Sequence, residues 1–389
     1  MKNRYFLSQP HQPFFVLAFI NAIISMFIFS LLLKGIVDSP IISANYHAYS
    51  LIFLTFTPAF LAFLFTTFPR FTGTLPVEKV VYVTILVPFT IGSIFFIFGA
   101  LGSSFLVATG MIFTLIGHLL AINILRKIYK ISVMPDNHDV FWILVSMAIG
   151  GVAHLLFVIG YFSDSLYITA LSAQIAIYLY LFLVAFSVAQ RMVPFFSNKM
   201  INRKDDFIRN VALLLVGHIV LNMIKLNLSF LTDFALMYII AKELLDWELP
   251  YPNPNPMLWI LHIALFWIPV AFLFSGLTSI IAIFSKANFM FLDIHVLVLG
   301  FVFTILIGFG TRVTLGHSAN RIEADRWTTI LFYATQVVVV TRMIVSFIFA
   351  FGWNFIFWFD LTVTIWLVLL GIWAVRFFPI LIFGKKIEK

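Results

Sequence analysis

The chain has no cysteine in its 389 residues. That excludes disulfides, thiolate zinc sites, iron–sulfur clusters and covalent attachment of a c-type haem. Charge is scarce as well. Asp, Glu, Lys and Arg make up 10% of the chain, against about 25% in average soluble proteins. No long polar segment is available for a separate catalytic domain, because the largest basic loop, Gln190 to Phe207, is short. What is present is apolar: 62% hydrophobic residues, 48 phenylalanines and a mean hydropathy of +1.07. Apolar runs of about 20 residues have the length of a membrane-crossing helix rather than a barrel strand. The expected fold class is all-α: a polytopic integral membrane helix bundle, one membrane domain over 1–389, with the lipid bilayer as its first partner. The net charge of +8 is no nucleic-acid signal, since the basic residues lie between apolar runs.

Hydropathy predicts about twelve transmembrane helices, near 13–33, 46–68, 78–98, 100–122, 140–161, 167–189, 207–227, 229–246, 257–284, 290–311, 327–350 and 354–382. The eighth is interrupted by Asp233, Lys242 and Glu243. The first run is too long for a cleavable signal and no small-residue cleavage site follows it. The termini and the loops after even-numbered spans hold 20 Lys and Arg, whereas the remaining loops hold Lys34, Lys225, Lys286 and Arg342. The positive-inside rule then predicts that both N-terminus and C-terminus are cytoplasmic.

The stretch Asp293 to Arg321 concentrates unusual residues. His295 opens it, His317 closes it, Gly300, Gly308, Gly310 and Gly316 punctuate it, and Arg312 marks its exit. A helix from His295 to His317 is roughly 33 Å long, about one hydrocarbon thickness. The two imidazoles therefore belong to opposite faces. Histidine within a membrane is costly without a partner, so each one is a candidate site residue, the alternative being a hydrogen bond to a neighbouring helix. Depth along the predicted spans gives an outer group, His47, His154 and His295, and an inner group, His11, His262 and His317. His118 is predicted near the inner end of its span, His218 near mid-membrane and His138 in a polar loop. Imidazole suits haem iron, copper and zinc. No spacing resembles a compact zinc motif. Gly117-His118-Leu119, Ala153-His154-Leu155 and Gly217-His218-Ile219 are similar, but three short matches do not establish a duplication.

Arg70, Arg191 and Arg312 each follow closely on a basic-side span end. They serve as positive-inside anchors, or pair with carboxylates such as haem propionates. At these residues the chain resembles the NnrS family, membrane proteins described as containing haem and copper and linked to the nitric oxide response. His295, Gly300, Arg312 and Thr314-Leu315-Gly316-His317 match the family's histidine, glycine-punctuated helix, Arg and Ser-Leu-Gly-His. His11-Gln12-Pro13-Phe14-Phe15, Tyr46-His47, Pro69-Arg70-Phe71-Thr72-Gly73, Arg191 to Phe196 and Leu258-Trp259-Ile260-Leu261-His262 match further motifs in order, across spans one to ten. One departure matters. Where family members commonly read His-Ala-His-Glu, this chain reads His47-Ala48-Tyr49-Ser50.

The resemblance implies a bacterial inner-membrane protein with non-covalent b-type haem and a copper candidate, taking nitric oxide as a small ligand. It implies cofactor binding by His11, His47, His295, His317, Arg191 and Arg312, with His154 and His262 as further metal ligands. Whether the protein is an enzyme is left open, and no catalytic residue is assigned. Proton-path candidates are few: Asp233, Asp360, Tyr161, Tyr178 and Tyr180. A twelve-span secondary transporter and a metal- or haem-delivery protein stand as alternatives. Pro58, Pro88 and Pro269 could break spans in the manner of transporter sites, though mid-membrane charge is sparse.

Overall fold

The structure, a computed structural model, describes residues 5–201, 203–224, 228–285 and 287–387. Lys2, Arg4, Lys225, Lys286 and Lys389, which enter the orientation argument, lie outside the described residues. Twelve helices and no strands form among the described residues. They are α1 His11–Leu33, α2 Ser43–Thr72, α3 Lys79–Gly99, α4 Ser104–Lys130, α5 His138–Phe162, α6 Leu166–Phe196, α7 Phe207–Met223, α8 Phe230–Asp246, α9 Pro256–Phe284, α10 Leu292–His317, α11 Arg326–Ala350 and α12 Ile356–Phe383. Ten are long and apolar enough to cross a membrane; α7 is short and α8 carries the charged residues noted above. Every predicted span thus corresponds to one helix.

Local chemistry sets the helix ends. Ser103 and Ser165 accept from the backbone N–H of Leu106 and Ile168, and Asn255 and Asp325 accept from Met257 and Thr328. These caps satisfy N–H groups that a helix start leaves without partners, which matters most where water is scarce. One boundary differs from hydropathy. Helix α4 runs on to Lys130 through Arg126 and Lys127, because long basic side chains can extend a helix past the apolar window. Arg342, counted above among loop residues, lies inside both the predicted span 327–350 and α11, so that count and not the boundary is corrected; its guanidinium donates to the Met290 carbonyl at 2.7 Å and to Ser346 at 2.6 Å.

Three helices share a feature that hydropathy does not show. Helices α2, α6 and α10 contain π-helical segments, Ser50–Phe56, Ala176–Phe182 and Val296–Phe303. Such segments are rare and leave the ordinary carbonyl ladder out of step. Thr57 and Thr304 follow two of them, and each hydroxyl donates to a carbonyl five residues back, Ile52 at 2.9 Å and Leu299 at 2.8 Å. These are also the most buried of the ten apolar helices: 78–94% of their most apolar windows is buried, against at most 56% in the rest. The three are the second, sixth and tenth helices, and Arg70, Arg191 and Arg312 lie in their later turns at equal intervals. A four-helix period therefore runs through the chain, which the short histidine motifs alone did not reveal.

The chain divides into two compact units. The first comprises Met1–Ala176, Gly310–Ile322 and Leu370–Lys389; the second, Ile177–Phe309 and Glu323–Leu369. In the first, Phe19 stacks on Trp373 and Phe14 packs edge-on against Phe65 and Phe89. In the second, Phe182 packs on Phe186, Phe272 and Phe301, and Phe303 on Trp366. Gly300 admits the Trp267 ring: a Cβ there would lie 2.6 Å from Trp267 Cγ.

Candidate functional site

In the first unit, the start of α1 meets the end of α10. The rings of His11 and His317 lie 5.1 Å apart, centroid to centroid. His11 is buried, and its Nδ1 has no hydrogen-bond partner. His317 Nδ1–H donates to Gln9 Oε1 at 2.7 Å, which leaves the lone pair on Nε2. Donation of one imidazole N–H to a carbonyl is the usual way a protein fixes the tautomer of a metal-ligating histidine. The support continues outward. Gln12 Oε1 accepts from the Gln9 N–H and the Ser8 hydroxyl, and Tyr82 donates to the Leu7 carbonyl at 2.6 Å. Beyond His317, Lys386 donates to the carbonyls of Ser318 and Ala319, while Asn320 bonds Lys385 and Ile387. Arg70 lies close enough to act electrostatically on both imidazoles. The Thr72-Gly73 motif just after it ends α2, with Gly73 in the left-handed region at φ 65°, where a side chain is disfavoured.

His154 sits elsewhere in this unit. Its Nε2 is 2.8 Å from the Tyr49 hydroxyl, and its Nδ1 is 3.3 Å from His118 Nδ1. Tyr49 also contacts Thr114 Oγ1 at 2.5 Å. Both ring nitrogens of His154 are thus occupied by protein. Tyr49, standing where the family commonly has histidine, fills the space beside His154 and supplies a hydroxyl. Ser50, standing for the family's glutamate, turns back to donate to the His47 carbonyl. The His47 ring stacks on Phe29 at 4.1 Å. His118 lies mid-helix in α4, which extends further than its apolar run, and reaches His154.

In the second unit, His262 Nε2 is 2.7 Å from the Ser197 hydroxyl, and its buried Nδ1 has no partner. The helix ahead of Ser197 carries Ser187 and Gln190, buried and with unpartnered side-chain polar atoms, beside Arg191. His295 Nδ1–H donates to the Phe291 carbonyl at 2.7 Å, with Arg342 Nη2 3.1 Å away. Arg191 and Arg312 are half-buried. Among the described residues, no three His, Cys, Asp or Glu side chains converge as a metal site. Depth sorting alone did not identify neighbours, though it put His11 and His317, which lie together, in one group. Gln9 was not singled out in the sequence, and only its nearness to His11 in the chain could have suggested it; Arg70 was already among the arginines named there.

The family model described as NnrS protein matches residues 5–383. No curated protein matches the chain.

Proposed function

The chain belongs to the NnrS family, and on that premise we propose that it is a membrane haem protein, with copper as a second metal, acting in the response to nitric oxide. The observation that carries this reading is the His11 and His317 pair, drawn from motifs at opposite ends of the sequence and facing each other at 5.1 Å. A buried imidazole nitrogen without a partner is costly unless something completes it. His11 Nδ1 and His262 Nδ1 are such atoms, and their chemistry fits haem iron or copper. In this reading His11 and His317, with His262 apart from them, hold metal, while Arg70, Arg191 and Arg312 supply cations for carboxylate groups. His47 and His295 remain candidate ligands. His154 is the weakest member of the set, since Tyr49 and His118 take both of its nitrogens.

When bound, a ligated iron supplies a position for a small apolar gas. The protein's own part is to fix tautomers. Gln9 holds His317 with its Nε2 lone pair outward, and Gln12 holds Gln9. Dense aromatic packing around α1 excludes water, and the bilayer delivers a ligand that partitions into lipid. In this reading both termini are cytoplasmic, as the loop charges favour, and the membrane is a bacterial inner membrane, as family membership suggests. A periplasm-active reporter fused after Arg321 tests this: activity there reverses the topology.

The experiment for the cofactor is a reduced-minus-oxidised spectrum with iron and copper analysis on purified protein. Wild type shows a haem spectrum; His11→Ala and His317→Ala lose or alter it, and His138→Ala does not. A folded, colourless protein without iron or copper ends this reading.

A further inference from the structure

Carboxylates are few in this chain, and two of them, the wholly buried Asp233 and the half-exposed Asp293, lie near one histidine in the second unit. His218, on α7, is wholly buried. Its Nδ1 is 2.6 Å from Asp233 Oδ1 on α8. Its Nε2 is 2.8 Å from the side-chain amide of Asn222, one turn further along α7. Asp233 is wholly buried too, and its second oxygen accepts from Ser275 on α9 at 3.0 Å. Tyr178, in the π-helical segment of α6, presents its ring edge to His218 with centroids 4.4 Å apart. Its hydroxyl donates to Asp293 Oδ2 at 2.9 Å. Asp293 is half-exposed in the first turn of α10. It acts electrostatically on Tyr178 and Asp233, and His295 lies two residues further along the same helix.

The hydrogen bonds allow His218 two states without loss. As a neutral ring it donates from Nδ1 to Asp233 and accepts at Nε2 from the Asn222 N–H. As an imidazolium it donates from both nitrogens, because the Asn222 amide can turn to offer its oxygen; amide O and N are geometrically interchangeable. A buried histidine of purely structural role needs a partner set for one state only. Here the carboxylate on one side compensates the added charge, which would otherwise be prohibitive in an apolar interior. We propose that His218, held between the buried Asp233 and the half-exposed Asn222, is a proton-loading site. One proton from water binds at His218 Nε2, and the same proton returns to water on unloading; no electron moves. The site needs no cofactor, so it stands or falls apart from the haem reading.

The test is histidine 15N NMR on full-length protein labelled at its nine histidines, with His218→Gln assigning the signal. Wild type passes from the neutral ring to the imidazolium within the pH range over which helicity is retained. Asn222→Asp moves that transition to higher pH by about 1–3 units. Asn222→Leu removes the acceptor and abolishes the transition, as does Asp233→Asn where it folds; the half-exposed Asn222 variants carry the test if it does not. A His218 signal that stays in one state throughout, or midpoints unmoved by both Asn222 substitutions, overturns the loading site.

Discussion

Each unit buries a tyrosine against a histidine at a π-helical segment, and the two arrangements differ in one respect. In the first unit Tyr49 bonds His154, which bonds His118, with Thr114 completing the set. No carboxylate takes part in these bonds. In the second unit Tyr178 packs on His218, but Asp233 and Asp293 stand at the two ends. Similar rings thus have different capacities. A neutral network can only be held together, because adding a proton to it buries an uncompensated charge. A network with a carboxylate can carry that proton. The comparison sets the proposed proton site in the second unit against a network around Tyr49 in which no carboxylate bonds the histidines.

The largest effect expected is from Asp233→Leu. It strips His218 and Ser275 of a shared buried partner, and breaking such a pair costs about 3–5 kcal/mol. Denaturant unfolding in detergent measures it; a cost equal to that of Thr114→Val in the first unit would erase the contrast. Next is Tyr49→His, which places a third imidazole beside His154 and His118. Elemental analysis of purified protein should then show more copper or zinc than wild type, held at the position of Tyr49. Unchanged metal content would mean that the tyrosine is not what withholds it. Tyr49→Phe leaves a buried His154 nitrogen without its partner, at about 1–3 kcal/mol, read in the same unfolding assay. The smallest effect is from Ser172→Ala. Its hydroxyl donates to the Ala153 carbonyl at 2.7 Å, next to His154, and the loss is about 0.5–1.5 kcal/mol. A cost above that of Tyr49→Phe would show that the α5–α6 contact, not the tyrosine, holds the neutral set.

Helix count was legible because apolar runs of membrane length have one reading. Helix ends were less so. Arg126, Lys127 and Lys130 lowered hydropathy without ending α4. Depth along a helix is one coordinate, and neighbours need the other two. His11 and His317, which lie together, shared one group by depth, whereas the contact between His154 and His118 joins residues that the sorting kept apart. The scarcity of proton-path residues was likewise a statement about numbers. Tyr178 and Asp293, 115 positions apart, come together only by packing. The π-helical segments left no sequence signal, since no residue type demands them.

Those segments have a mechanical consequence. An ordinary helix turns as one rod, so reorienting a side chain at one end displaces every side chain beyond it. Helices α2, α6 and α10 each contain a phase slip, with one stretch wound on a wider turn than the rest. The half carrying Tyr49, Tyr178 or His295 can therefore be rotated by a residue's worth of winding while the half carrying Arg70, Arg191 or Arg312 stays where it is. An insertion absorbed there alters what one end of the helix presents and spares the other, which is how a single scaffold could retain its arginine ends while exchanging a histidine for Tyr49.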